Sequence, residues 1–355
     1  MNWKTLATCS AMMGLVTVGC GGTVTPAGDS GPGDAGSGPA QTVTYVLGAI
    51  NAETPAGSDP TQAYGFNLDG MVGGPAGTCF AVDDFTSPIT GMTGVDNQLG
   101  GSLAGLLDGV LMGDGLNGTI RDQIEAGKVL LILEVSDINS FTADSSIMVH
   151  AVLGQMPAGA ACQMHTDMAS CTGDTAHMCS FTAGAMGAAG TCATTAAPQV
   201  SAACAAHTDS ASCYADHANA CNWGAMASAC SGIASGQTFA MLSDLGTVPG
   251  SITGGQISAT TSSLPLTFSA MGHVITLTLH NVQFGGRIAA TGITNGEFGA
   301  KISIAELQST IDSLGLGVMI ATLAPPDISL TDGGTTCDAI SAGMEYDAIV
   351  ATVSN

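Results

Sequence analysis

Basic side chains are nearly missing from this 355-residue chain: 5 Lys and Arg stand against 28 Asp and Glu, for a formal net charge of −23. Lys4 falls in an N-terminal segment expected to be removed, which leaves Arg121, Lys128, Arg287 and Lys301 as the bases of the mature protein. No cluster of cations exists to neutralise phosphates, so a nucleic-acid partner is excluded. An anionic lipid surface would repel the chain for the same reason. Aromatic residues are also scarce, at 4%, and one of the two tryptophans is Trp3. That weakens a sugar-cleaving cleft, which stacks its substrate on aromatic platforms. No G-x-S-x-G, H-E-x-x-H or Walker motif occurs. Beyond the N-terminus no apolar run is long enough to span a bilayer as a helix.

The first residues, "MNWKTLATCSAMMGLVTVGCGG", have a basic start, an apolar run from Leu6 to Val18 and then small residues. That is the layout of a secretory signal over residues 1–19. Its ending, "VTVGC", resembles a bacterial lipobox, although Thr17 stands where Leu, Val or Ile is usual. The resemblance implies that Cys20 is acylated and becomes the mature N-terminus, with several acyl chains holding the protein on a membrane. Gly21 after the cysteine, in place of Asp, implies outer-membrane or cell-surface delivery. The plainer alternative is an ordinary signal peptide cut nearby.

Residues 20–41 then form a Gly/Pro/Ser/Asp tether that cannot bury a core. "GDSG" and "GPGDAG" within it mimic a serine-protease nucleophile and a dinucleotide fingerprint, but no strand precedes them and no helix follows.

Order is expected from Thr42. "TVTYVLGAI" has strand composition, with Val43, Tyr45 and Leu47 on one face. "DNQLGGSLAGLLDGVL" switches to helical spacing through Leu99, Leu103, Leu106, Leu107 and Val110, and a second short helix is expected from Asn117 to Ala126. "KVLLILEV" reads as a strand buried on both faces, followed by the strand "SIMVHAVLG". From about residue 236 strands resume: "QTFAML", "GGQISAT", "LPLTFSA", "HVITLTLHNVQFGGRIAAT", "GEFGAKISI" and finally "MEYDAIVATV". One helix interrupts them, with Ser303 and Glu306 as a capping box. The pattern predicts a mainly β protein, an antiparallel β-sandwich or barrel-like domain with a few short helices. Residues 42–156 and 236–355 would make that domain, interrupted by a small disulfide-rich insert at 157–235.

Of the twelve cysteines, eight lie in the insert: Cys162, Cys171, Cys179 and Cys192, then Cys204, Cys213, Cys221 and Cys230. The first three of each set recur 42 residues apart, as do His165/His207 and Asp167/Asp209, so the insert is a tandem duplication. Zinc would use Cys162, His165, Cys171 and Cys179, but no close C-x2-4-C knuckle occurs, and His177 and His217 fall at different offsets in the two copies. An exported chain meets oxidising surroundings, which favours disulfides, with three connectivities open in each repeat. By remainder Cys79 and Cys337 would join the start and end of the β domain. His165 and His207 read as local hydrogen-bonding residues near Thr166 and Asp167. "CNWG" at Cys221 and "CSF" at Cys179 give the repeats a resemblance to the PSI-type (plexin–semaphorin–integrin) cysteine-rich module, which implies a spacer or contact role.

The segment before the expected helix concentrates oxygen ligands: Asn67, Asp69, Asp83, Asp84, Asp96 and Asn97, separated by turn glycines. These are the ligand types that Ca²⁺ takes, six to eight at a time, which makes Ca²⁺ a candidate ligand of this segment and leaves no cofactor established. The EF-hand spacing is not met. Each residue also has a simpler role: Asp69-Gly70 as a turn, Asp96 as a helix cap, Asp83 and Asp84 as solvated acids.

The lipobox-like start, the tether, "DG" followed by "VDNQL", and "CDAISAG" near the end together resemble predicted surface lipoproteins of myxobacteria. That resemblance carries no activity over. The reading that joins these features is a lipid-anchored extracytoplasmic protein with a binding or structural role, touching the membrane through its lipid and a protein or glycan through its folded part. A carboxylate-dependent hydrolase such as a glycosidase, built on Asp83, Asp84 and Asp96, is the alternative. The balance is against an enzyme.

Overall fold

Nine stretches of β-type sequence become eight long strands: β1 (Gln41–Asn51), β2 (Leu130–Ile138), β3 (Ala143–Gln155), β4 (Thr238–Thr253), β5 (Gln256–Ala270), β6 (His273–Ala289), β7 (Gly292–Ser303) and β8 (Ala339–Val350). The computed structural model describes residues 39–52, 54, 59–73, 79, 84–100, 115–183, 190–270, 273–313, 319–331 and 336–354. All of these lie in one compact unit, Ala35–Asn355. The expected signal, Cys20, nearly all of the tether, Asp83 and most of the Leu99–Val110 helix lie outside the described residues.

Each strand pairs antiparallel with the next in sequence, and β8 returns to β1. The result is a closed, eight-stranded, up-and-down barrel, which settles the choice between sandwich and barrel. Gly254 and Gly255, at φ +60° and +80°, make the two-residue turn from β4 to β5, a conformation in which both central residues need positive φ. A short final strand, Thr352–Ser354, adds parallel to β4.

"GGQISAT" and "LPLTFSA", read separately from sequence, belong to the single strand β5. Pro265 lies beyond the residues of β5 that pair with β4, on a stretch paired only with β6. A missing amide is tolerated on such an edge.

Alternation sorts the side chains. Tyr45, Leu133, Val135, Val149, Phe284 and Phe298 point inward and form the main core, with Phe284 and Phe298 packed edge to face at 5.2 Å. Ser258 and Thr260 on β5 are exposed. An apolar inside with polar side chains outside is the inverse of a membrane-spanning barrel. No helix among the described residues is long and apolar enough to cross a membrane.

A second core lies on the outside of the wall. Val46 of β1 and Leu130 and Ile132 of β2 face outward and are covered by Ile124 of helix α1 (Gly115–Glu125), by Ala220 and Ile233 of the second cysteine repeat, and by Phe239. This is why "KVLLILEV" is apolar throughout: one set of residues faces the barrel interior and the other faces its cover. The helix α2 (Ile304–Ser313) packs Ile304 and Leu307 on the main core. Its capping box is half formed. The Glu306 amide donates to Ser303 Oγ at 3.4 Å, but the Glu306 carboxylate accepts from the Thr278 amide of β6 at 3.0 Å and so ties the helix to the barrel.

Candidate functional site

All ten cysteines of the folded part form disulfides. In each repeat the first pairs with the third and the second with the fourth: Cys162–Cys179 and Cys171–Cys192, then Cys204–Cys221 and Cys213–Cys230. Cys79 pairs with Cys337, closing a span of 258 residues. The sulfurs of the zinc alternative are therefore consumed. The repeats share a second device. Asp167 and Asp209 cap the short helices Met168–Gly173 and Ser210–Tyr214 by accepting from the amides of Ser170 and Ser212. His165 Nε2 lies 2.9 Å from Asp174 Oδ2, and His207 Nε2 lies 2.9 Å from Asp216 Oδ2. The histidine of each copy is thus a local hydrogen-bonding residue, although its partner is an aspartate nine residues on and not Thr166 or Asp167.

The described members of the expected calcium set, Asn67, Asp69, Asp84, Asp96 and Asn97, lie on a segment whose Tyr64, Phe66 and Leu68 pack over Gly343, Gly285 and Gly299 of β8, β6 and β7. Asn67 Oδ1 accepts from the Gly70 amide at 2.6 Å, and Asp69 Oδ1 from the Met71 amide at 2.7 Å. Asp84 accepts from the Gly73 amide. Asp96 does not cap the following helix: its Oδ2 accepts from the amides of Leu68 and Asp69 at 2.6 and 3.1 Å. Asn97 takes the capping position, accepting from the Gly100 amide, while its Nδ2 donates to the carbonyls of Tyr64 and Gly343. Among the described residues these oxygens serve backbone amides instead of converging on a common point. Beneath them Asp327 accepts from the amide and hydroxyl of Ser341. Burial pushes the Asp96 carboxyl up to about 7, with Asp69 adding to the effect. Burial likewise raises Asp327 to about 6.

A different cluster assembles where the second repeat meets the barrel. Glu345 and Asp347 project from the outer face of β8, and their side chains are only 8% and 5% exposed. His217, from the one-turn helix His217–Asn219 of the second repeat, brings Nδ1 to 2.8 Å from Asp347 Oδ2 and 3.8 Å from Glu345 Oε1. Two β-bulges aim the supporting groups. A register shift between Leu47 and Ala49 turns Asn51 to the outside of β1, where its Nδ2 donates to Glu345 Oε2 at 3.2 Å. The shift between Ile293 and Gly296 in β7 directs the Asn295 amide at Asp347 Oδ1, 2.8 Å away. Bulges re-aim side chains and amides in this way beside functional sites. Asn222 of the second repeat donates to Asn51 Oδ1 at 3.2 Å and completes the seam.

Glu297 stands directly across from Glu345 in the β7–β8 register. Its carboxylate accepts from Ser87 Oγ at 2.7 Å and the Gly65 amide at 3.1 Å. Tyr64 hydrogen-bonds to Glu345 and feels all three carboxylates. Burial raises the Glu297 carboxyl, and burial followed by repulsion from Asp347 raises Glu345. His217 is held above the usual imidazole range, chiefly by its bond to Asp347. Tyr64 also borders an open cleft of about 230 Å³ lined by Gln62, Phe85 and Asn97. Chemically the cluster can hold a cation or position a proton between two carboxyl groups.

Sequence reasoning missed every member of this cluster. One signal was available: acids are depleted in strands, yet "MEYDAIV" places two of them two residues apart on one face.

No family model, curated protein or solved structure matches the chain.

Proposed function

We propose that this chain is an exported surface protein, anchored through lipid at Cys20, whose barrel serves as a rigid platform for a disulfide-braced module with a binding or structural role. The observation that supports it is the complete pairing of the ten cysteines of the folded part, a chemistry that belongs to oxidising compartments. The first repeat presents Met164, Met168 and Met178 at its surface, each more than half exposed, while the second is fastened to the wall. A contact role for the displayed copy agrees with the resemblance to plexin-type modules. The test is mass spectrometry of the native protein together with fractionation of a Cys20→Ser variant. Acylated Cys20 and release of the variant from the membrane fraction are expected; an unmodified Cys20 on a chain that remains in the cytoplasm would overturn the reading.

A hydrolase is the second reading, and the facing pair Glu297–Glu345 is what favours it. Against it, the oxygens of both groups already serve Ser87, Gly65 and Asn51. Turnover of glycoside substrates that disappears in Glu345→Gln would establish it.

A further inference from the structure

We infer that His217, Glu345 and Asp347 form a site for one divalent transition-metal ion of the Zn²⁺ or Mn²⁺ kind, at the seam between the second cysteine repeat and the barrel. Four groups of His, Cys, Asp and Glu among the described residues bring three donor atoms within 4.8 Å of one another. Three of the four contain a cysteine that is locked in a disulfide and has no thiolate to give. The group at the seam is the exception. His150 also touches two carboxylates, Glu134 and Asp244, but through opposite ring nitrogens, so its donors diverge.

At the seam the donors converge and are braced from behind. Asn51 holds Oε2 of Glu345 and the Asn295 amide holds Oδ1 of Asp347. Oε1 and Oδ2 lie toward His217 Nδ1, at 3.8 and 2.8 Å, and Tyr64 adds a further hydrogen bond to Glu345. Carboxylate ligands oriented by hydrogen bonds to their far oxygens are the outer support that metal sites use. Two carboxylates and a neutral imidazole carry a charge of −2, which a divalent ion balances. A mixed nitrogen and oxygen set favours a transition ion over Ca²⁺ or Mg²⁺, which prefer oxygen alone.

The duplication supplies an independent argument. The first repeat has Thr175 at the position equivalent to His217, while the His–Asp pair of each repeat is kept in both copies. An imidazole at this position occurs only in the copy that meets two buried carboxylates; the second histidine of the first copy, His177, bonds Asp174 of its own repeat instead. His217 is 31% exposed, which gives an ion a path from solvent.

The test uses the exported, disulfide-bonded full chain, stripped with a chelator and titrated with Zn²⁺ by calorimetry and with Co²⁺ by absorption. One equivalent is expected, weakened at least tenfold by His217→Ala and by Glu345→Gln, and unchanged by His165→Ala or His207→Ala. Because the first two variants could loosen the repeat, the unaltered protein is also treated with diethylpyrocarbonate and mapped by peptide mass. Zn²⁺ should protect His217 and leave His165 and His207 as reactive as before. Absence of stoichiometric binding, binding that survives His217→Ala, or no protection of His217 would each overturn the assignment.

Discussion

Asp347 Oδ2 and His217 Nδ1 meet at 2.8 Å across 130 residues of sequence, joining the last barrel strand to the second cysteine repeat. Asp347 is the more deeply buried partner, and its other oxygen satisfies the Asn295 amide of the β7 bulge. Truncating it leaves two donors without their acceptor, whereas truncating His217 leaves the carboxylate with one bond intact. Asp347→Ala should therefore cost about 2–4 kcal/mol in urea unfolding of metal-free protein, and His217→Ala about 1 kcal/mol. Equal losses would show that the seam is not organised around the aspartate.

Gly48 of β1 packs directly beneath that repeat. A Cβ added there would lie 2.8 Å from the Ala220 Cβ, inside contact distance and against a buried neighbour. Gly48→Val should destabilise the protein by about 1–3 kcal/mol through overpacking. It should also speed proteolysis of the 196–236 region relative to the barrel, read by limited digestion and mass mapping.

The covering segment between β1 and α1 is held by its own backbone bonds, with the carboxylates of Asp69, Asp84 and Asp96 turned to amides. Those N–H dipoles present positive ends where a cation would have to sit. Millimolar Ca²⁺ added to the folded protein should leave its melting temperature within about 1 °C of the calcium-free value, since ligand stabilisation scales with binding to the native state. A clear upward shift would mean that the segment rearranges around the ion.

Stability should rise on mild acidification. Asp96 and Asp327 have folded-state pKa values of about 7 and about 6, above the 3.8 of an unfolded aspartate. The native state then binds more protons than the unfolded chain between about pH 4 and 7, so stability falls as pH rises through that window. Below it the order reverses, because Asp174, lowered to about 2 chiefly by His165, and capping groups such as Asp167 lose native bonds when protonated. Melting curves should peak between about pH 4 and 6, and Asp96→Asn should flatten the decline toward pH 8. A monotonic rise to pH 8 would contradict the assignment.

Breaking Cys79–Cys337 should be costly, because it joins a segment between β1 and α1 to the residues just before β8. A double Cys79→Ser/Cys337→Ser variant should lose about 2–5 kcal/mol. The four repeat disulfides should remain in place, as read by non-reducing peptide mapping.

Much of the barrel was legible because its strands obey period two and its cysteines come in a duplicated pattern. Tyr45 and Leu47 share one face, as period two requires, and "KVLLILEV" is buried on both faces, as its near-continuous apolar run implies. What was lost depended on distance along the chain. Nothing local indicates that Glu345 faces Glu297, or that a bulge at Gly48 turns Asn51 outward and breaks the alternation begun at Tyr45. His217 is the instructive case. Its irregular offset between the repeats counted against zinc, yet that irregularity marks the one histidine of the insert recruited by the barrel. The acids at 67–96 were conspicuous in sequence because turns need them, whereas the buried acids of β7 and β8 are scattered among apolar residues.

The next-neighbour strand order has a consequence for how such a protein changes over generations. The duplicated module occupies the link between β3 and β4, two strands that lie side by side whatever joins them. Gaining a copy ahead of the second therefore lengthens one hairpin connection and leaves every barrel register as it was, whereas losing the second would uncover Val46, Leu130 and Ile132. The second copy is fixed by its seam with β8, but the first has no such obligation in its Thr175 counterpart. The wall thus works as a socket that fastens one module and leaves the next free to diversify.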